Sequence, residues 1–450
     1  MIRLFLSFTL LLATSVGFGQ SIQEICPSAN TNGTVVNCEY FNDTLYATGF
    51  FDRICGQPVG YIAKWENNSW QPSAISISDP GHALKAIDNK LYIARYEQSL
   101  DSNWLYVYDN GQLQTVGSGV FLTTASGFSA LPNIYDVLKY DGKIVACGEF
   151  DRVGTDSIQG IMQWDGNQWN ALGSGLSGNI INTSGVMFPH QLMVHNSELY
   201  VAGNFRYAGG IEVNGIAKWD GNQWSALGAG FNNTVYSMIV YNNELIVGGS
   251  FTESNGTPLN RIAKWDGTDW VALDFGFSQP DPNRFIFVHT LKEIDGVLYI
   301  AGGLIEITYP DNSTEVCNGI VSLQNATLNT FMGGVPDNDI EAICKVGNND
   351  ILVGGGVFGN GYTGITQIGT SIQSHHSFEE VNLFPNPFEE WMDIEAPSTV
   401  ERYEITNELG QIIRQGALES RIYISLPAGL YFLKLLHKDQ SFSTHKIIHK

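Results

Sequence analysis

The stretch "GIAKWDGNQWSALGAG" at 215–230 repeats, almost letter for letter, "GIMQWDGNQWNALGSG" at 160–175. Ahead of each copy lies an alternating apolar strand, a tight polar turn and a second strand ending in glycine and phenylalanine, as in "QLMVHNSELYVAGNF" (191–205) and "VYSMIVYNNELIVGGSF" (235–251). After a loop come a third strand such as "RIAKW", an Asp-Gly turn and a fourth strand such as "DWVAL". The first apolar residue of the second strand marks each copy: Leu45, Leu91, Ile144, Leu199, Leu245, Leu298 and Ile351. Steps of roughly 45–55 residues signal propellers or solenoids. Four short antiparallel strands, seven times over, predict an all-β chain built as a seven-bladed β-propeller. Copies six and seven lack the tryptophans ("VSLQNATLNTF", "ITQIGTSIQ"), so six blades plus a strand-rich cap is the competing count.

The phrase itself reads as architecture. Trp65/Trp70, Trp164/Trp169, Trp219/Trp224 and Trp265/Trp270 occupy matched places, with Tyr108/Leu113 in the second copy. The Asp-Gly between them, as at Asp220-Gly221, suits a tight hairpin because glycine accepts positive φ. Rings recurring at one position in successive blades fill the wedge between neighbours. A sugar-stacking platform is the competing reading of the pairs.

The whole-chain numbers agree. A chain of 450 residues exceeds one ordinary core, and 49 glycines favour many turns over long helices. A formal charge of −22 argues against nucleic acid as partner, since phosphate contacts need a basic surface. Residues 1–20, "MIRLFLSFTLLLATSVGFGQ", have a basic start, an apolar run and small residues at the end, the pattern of a signal peptide. No later stretch has the ~20 apolar residues of a membrane helix. The six cysteines Cys26, Cys38, Cys55, Cys147, Cys317 and Cys344 match no zinc spacing, and buried free thiols compete with bridges. Cys38 and Cys344 each stand seven residues before their markers, in the first and last blades, which adjoin in a closed ring. A bridge there would clasp the ring, unless the innermost strands hold the Cα atoms beyond the ~7 Å limit.

Residues 248–277, "GGSFTESNGTPLNRIAKWDGTDWVALDFGF", resemble the repeats of secreted bacterial propellers of the kelch or galactose-oxidase-like class and those of a fungal bud-site-selection surface protein. The resemblance covers about 35–370 and implies architecture; propellers serve many unrelated functions. After a polar linker at 374–380, the strands "YEITNELGQII" and "GLYFLKLL" predict a small Ig-like β-sandwich. Leu383, Phe384, Pro385, Asn386 and Pro387, then Gly410, then Leu426 to Tyr431 including Gly429, and the basic end from Lys446 to Lys450 resemble the type A C-terminal sorting domain of the type IX secretion system. That resemblance implies the type IX machinery and its sortase as partners, export across the outer membrane, and release or attachment to lipopolysaccharide. The organisation expected is a signal peptide at 1–20, a propeller at 21–373, a linker at 374–380 and a sorting domain at 381–450.

Long, varied connections (117–134, 173–190, 274–287 and 304–318) fall on one face of such a propeller, and function sits on variable loops held by a rigid frame. Arg53, Arg152 and Arg206 follow the second-strand phenylalanine at similar offsets. With Tyr207, Arg284, Phe285 and Tyr309 they form a candidate binding surface, arginine and aromatics suiting sugars or acidic polymers. His82, His190, His195 and His289 fall singly in or before strands and read as structural. No catalytic motif, metal set or cofactor site is recognisable, so none is expected. The function expected is an exported binding module for a glycan or a protein; the alternatives are a polysaccharide hydrolase or lyase and a structural component of the cell surface.

Overall fold

The computed structural model describes residues 22–26, 34–54, 57–67, 69–95, 102–122, 132–181, 187–278, 285–317, 319–330, 339–346, 350–356 and 365–369 of one compact unit. In a second unit it describes 382–384, 391–395, 400–407, 412–417, 421–423, 427, 429–437 and 442–449, the division falling between Ser371 and Ile372. The expected signal peptide and the linker at 374–380 lie outside the described residues.

The first unit contains seven four-stranded antiparallel blades. Their innermost strands are Thr34–Phe41, Gly81–Ile87, Asn133–Tyr140, Phe188–His195, Val235–Tyr241, Val288–Ile294 and Asp339–Val346. Each packs on the next, and the last packs on the first, so the blades close a ring of seven. Blades 1 to 6 take all four main strands from one continuous repeat. Blade 7 does not: its fourth strand is Ile22–Cys26, paired antiparallel with Ile365–Gly369. Closure is therefore made by the start of the chain lying along the end of the last repeat, which the repeat markers alone do not show.

Every blade-to-blade seam has its own apolar cluster. Ile134, Phe150, Val153 and Trp169 lie at the seam of blades 2 and 3, for example, and Val201, Phe205, Val213 and Trp224 at the seam of blades 3 and 4. The second tryptophan of each pair is the buried one. In three of the four pairs its indole N–H donates to a backbone carbonyl reached from the preceding blade: Trp169 to Val116 (2.9 Å), Trp224 to Leu172 (3.2 Å) and Trp270 to Leu227 (3.0 Å), whereas the buried Trp70 indole N–H meets no acceptor among the described residues. A glycine follows each of those carbonyls. Gly117 has φ of 65°, and a Cβ there would lie 2.7 Å from the indole nitrogen of Trp169. The "ALG" that ends one phrase thus docks under the tryptophans of the next, which is why the phrase recurs. The Asp-Gly turn is capped as well: Asp220 Oδ1 accepts the N–H groups of Asn222 and Gln223 (both 2.8 Å), with Gly221 at φ 100°.

Cys38 and Cys344 form a disulfide, with Cα atoms 6.1 Å apart. Counting residues makes the two positions equivalent; the register does not. Cys38 pairs with Ala47, two residues beyond the marker, whereas Cys344 pairs with Leu352, one beyond. The hairpin of blade 7 holds three residues between paired Val346 and Asp350, against two between Phe41 and Thr44 in blade 1. Strictly equivalent residues would point the same way around the ring and never meet. Because side chains alternate along a strand, the extra residue turns Cys344 toward blade 1 while Cys38 faces blade 7, and both enter one core cluster. Ile343, the true counterpart of Cys38, faces blade 6 instead. Cys147 and Cys317 are buried free thiols.

The second unit holds two antiparallel sheets, one of Asn382–Phe384, Trp391–Glu395 and Arg421–Tyr423, the other of Ile412–Ala417, Val400–Thr406, Gly429–His437 and Phe442–His449. Tyr403, Ile405, Tyr431, Leu433 and Leu435 are buried among its described residues. No helix among the described residues is long and apolar enough to cross a membrane.

Candidate functional site

The innermost strands of blades 1 and 3 to 7 each carry a bulge near their start, where pairing with the second strand slips by one residue. In blade 2 the slip spans His82 and Ala83. A bulge leaves one residue unpaired and re-aims its side chain. Glycine makes room for it: a Cβ on Gly148 would strike Asn133, and one on Gly203 would lie 2.5 Å from Pro189. The re-aimed residues are Val36, His82, Tyr135, His190, Tyr236, His289 and Glu341. Five successive blades thus present imidazole and phenol rings in strict alternation around the axis.

The rings touch. Centroids lie 5.5 Å apart for His82 and Tyr135, 5.1 Å for Tyr135 and His190, 4.9 Å for His190 and Tyr236, and 5.4 Å for Tyr236 and His289. Phe50 extends the collar beyond His82 (4.9 Å), and Phe287 packs on both Tyr236 and His289. The collar stands at the start of the innermost strands, on the face from which the long loops emerge. It lines a central cavity of about 520 Å³.

Below the collar, polar side chains join one innermost strand to the next. Asp136 accepts the N–H of Leu192 (2.8 Å), Gln191 that of Met238 and Ser237 that of Leu291 (3.1 Å), while Thr290 donates to the carbonyl of Glu341 (2.6 Å). Deeper still, Glu39 pairs with Lys85 (3.7 Å) and accepts the N–H of Ala86. Lys292 also lines the cavity; burial, and then Lys85, lower its pKa.

The collar imidazoles are half-buried, one side facing the cavity. Burial pushes His82 and His289 down to about 4 and His190 to about 3, and His289 adds to the lowering at both His82 and His190. Burial pushes Asp136 up to about 6 and Glu149, which accepts a bond from the Tyr135 hydroxyl (3.3 Å), to about 7. The unfolded imidazole titrates near 6.5, so between pH 6.5 and about 3 to 4 the unfolded chain binds more protons. The histidine contribution to stability is complete above pH 6.5 and is lost as the pH falls through that window. Asp136 and Glu149 act oppositely: their contribution is complete below about pH 4 and is lost as the pH rises from there to about 6 and 7. The expected outcome is that His190→Asn loses less stability than the parent between pH 7 and pH 5 in urea unfolding. An equal loss would show that the buried imidazole does not set the slope.

The loop residues singled out in the sequence lie elsewhere. Arg53, Arg152 and Tyr207 sit in short hairpins between second and third strands, and Arg206 immediately precedes one. Two of these hairpins gain a third strand from the segment leading in from the preceding blade, Val120–Phe121 beside Arg152–Val153 and Leu176–Ser177 beside Tyr207–Ala208. Arg152 lies over the ring of Phe121 (4.9 Å), and Arg206 pairs with Glu212 (2.9 Å) beside Tyr207. Tyr309 donates to Glu315 (3.1 Å), and Phe285 is 91% exposed. None of these six lines the central cavity, and Arg284 lies outside the described residues. Among the sorting residues, Leu383, Gly429, Tyr431 and Lys446 stand in strands, and the Tyr431 hydroxyl donates to the carbonyl of Pro427 (2.8 Å). Pro385, Asn386, Pro387, Gly410 and Lys450 lie outside the described residues.

His82, His190 and His289, each unremarkable in its own strand, are brought together with Tyr135 and Tyr236; His195 is not, and contacts Asn196. The signal was present. Each of the five stands nine residues before its blade marker. Among the described residues no three metal-ligating side chains converge.

Residues 382–450 match the family model described as secretion system C-terminal sorting domain. No curated protein sequence matches the chain. Among solved structures it is similar to BBS1N from a complex with ARL6DN, at 12% identity and a TM-score of 0.39, covering 80% of this chain and 98% of that one. It is similar to the AfRom2 CNH domain at 9% identity and a TM-score of 0.35, covering 77% and 98%. A third is BamB from Moraxella catarrhalis, at 11% identity and a TM-score of 0.30, covering 81% and 100%. The C-terminal unit carries a type IX sorting domain, which implies secretion or attachment at the outer-membrane surface.

Proposed function

We propose that the exported propeller is a binding module that takes a glycan at the collar of its central cavity. The observation that carries this reading is the alternating ring of His82, Tyr135, His190, Tyr236 and His289. A sugar offers apolar faces edged by hydroxyls. Tyrosine and neutral histidine answer both, with a ring face and a polar group that donates or accepts. Binding without turnover is favoured because the carboxylates lining the cavity below the collar have structural partners: Asp136 holds two backbone N–H groups, and Glu39 holds Lys85 and the N–H of Ala86.

The test is titration of the full-length protein against a panel of polysaccharides, with binding and new sugar ends read in the same wells. Saturable binding without product is expected, and Tyr236→Ala is expected to weaken it about 10- to 30-fold, as for a buried aromatic anchor. Release of new ends would replace this reading with a hydrolase or lyase. Silence in both would point to a protein partner or a structural role at the cell surface.

A further inference from the structure

We infer that the glycan is acidic, and that an anionic group on it is received by Lys292 beneath the collar. The inference rests on the proposed glycan reading and names the ligand class for that same site.

Nine lysines of the propeller are described, and eight have a polar partner on the protein. Lys64, Lys85, Lys90, Lys139, Lys218, Lys264 and Lys345 pair with Glu66, Glu39, Asp109, Asp88, Glu198, Glu244 and Asp295 respectively, and Lys143 donates to Gln163. Lys292 alone makes no hydrogen bond or ion pair with a described residue. It stands on an innermost strand three residues after His289, about 10 Å at the rise of a strand, as Lys85 does after His82, and both line the cavity; Lys85 is held there by Glu39, Lys292 by no carboxylate among the described residues.

The fixed anions nearby have other partners. Glu39 holds Lys85 and the N–H of Ala86, Asp136 holds the N–H groups of Val137 and Leu192, and Glu293 accepts the N–H of Gly296. Glu341 stands at the collar, three residues above the level of Lys292 in the blade register. An ammonium in a partly desolvated cavity with carboxylates near but none bonded to it is costly, and a ligand that brings a bonded counter-charge recovers part of that cost. Imidazole and phenol faces above with a cation below suit a saccharide whose ring stacks in the collar and whose anionic group points inward. A uronate carboxylate and a sulfate ester share that chemistry.

The experiment uses the full-length protein and three probes: oligogalacturonate, a sulfated galactan oligosaccharide, and oligogalacturonate with its carboxylates methyl-esterified. Binding of at least one acidic probe, at least tenfold tighter than the neutral ester, is expected. Lys292→Met is expected to weaken that binding about 10- to 100-fold, the range of a charge-assisted hydrogen bond, while Lys292→Arg retains it. The comparison of acid with ester needs no variant and stands if Lys292→Met fails to fold. Equal binding of acid and ester, or an unchanged affinity in folded Lys292→Met, overturns the inference. Binding of the neutral ester alone, lost in Tyr236→Ala, overturns it and keeps the glycan reading. No binding of any probe overturns both.

Discussion

Replacing Cys38 and Cys344 together by serine is expected to destabilise the propeller by about 2–5 kcal/mol, because the bridge closes a very long loop in the unfolded chain. The two cysteines are 306 residues apart, so the bridge ties nearly the whole ring into one covalent circle. The seam it spans also holds Val35, Ala47, Phe51, Ala342 and Val346, and blade 7 is completed there by the strand Ile22–Cys26. That seam is the one place where blades adjacent in space are farthest apart in sequence, so opening it exposes two blade faces at once. Urea unfolding of the parent and the C38S/C344S variant, followed by tryptophan fluorescence, measures the difference. A loss below about 1 kcal/mol would show that the apolar seam and the borrowed strand close the ring unaided.

The second large effect lies in the repeated phrase. Trp224→Ala is expected to cost about 3–5 kcal/mol, as for a buried aromatic cut to alanine, and Trp219→Ala markedly less. Trp224 is buried at the seam of blades 3 and 4 and donates to Leu172 (3.2 Å), whereas its partner Trp219 is only partly buried. Trp224→Phe separates packing from hydrogen bonding: it keeps an aromatic ring but leaves the Leu172 carbonyl without its donor, a loss of about 1–3 kcal/mol. Gly117→Ala tests the docking from the other side, since φ of 65° and the nearness of the Trp169 indole both oppose a methyl group. Equal costs for Trp219→Ala and Trp224→Ala would contradict the assignment of one ring as the seam filler.

Much of this architecture was legible in the chain as written. The blade markers, the Asp-Gly turns and the tryptophan pairs are local signals repeated at a fixed period, and repetition lets weak patterns reinforce one another. The sorting domain was legible for a similar reason, since several short motifs stand in a set order between Leu383 and Lys450. Seven blades against six plus a cap was harder, because blades 6 and 7 keep the strand rhythm without the tryptophans.

The sequence by itself therefore determined that the chain is a propeller with a sorting domain, because strand alternation and turn chemistry act between residues close along the chain. Three things only the tertiary structure decided. Ile22–Cys26 is the outer strand of blade 7, paired with residues more than 300 positions away. The Cys38–Cys344 bridge depends on one additional residue in a hairpin, which reverses the direction of a side chain. The collar depends on bulges that turn His82, Tyr135, His190, Tyr236 and His289 toward a common axis, and that axis exists only once the ring has closed.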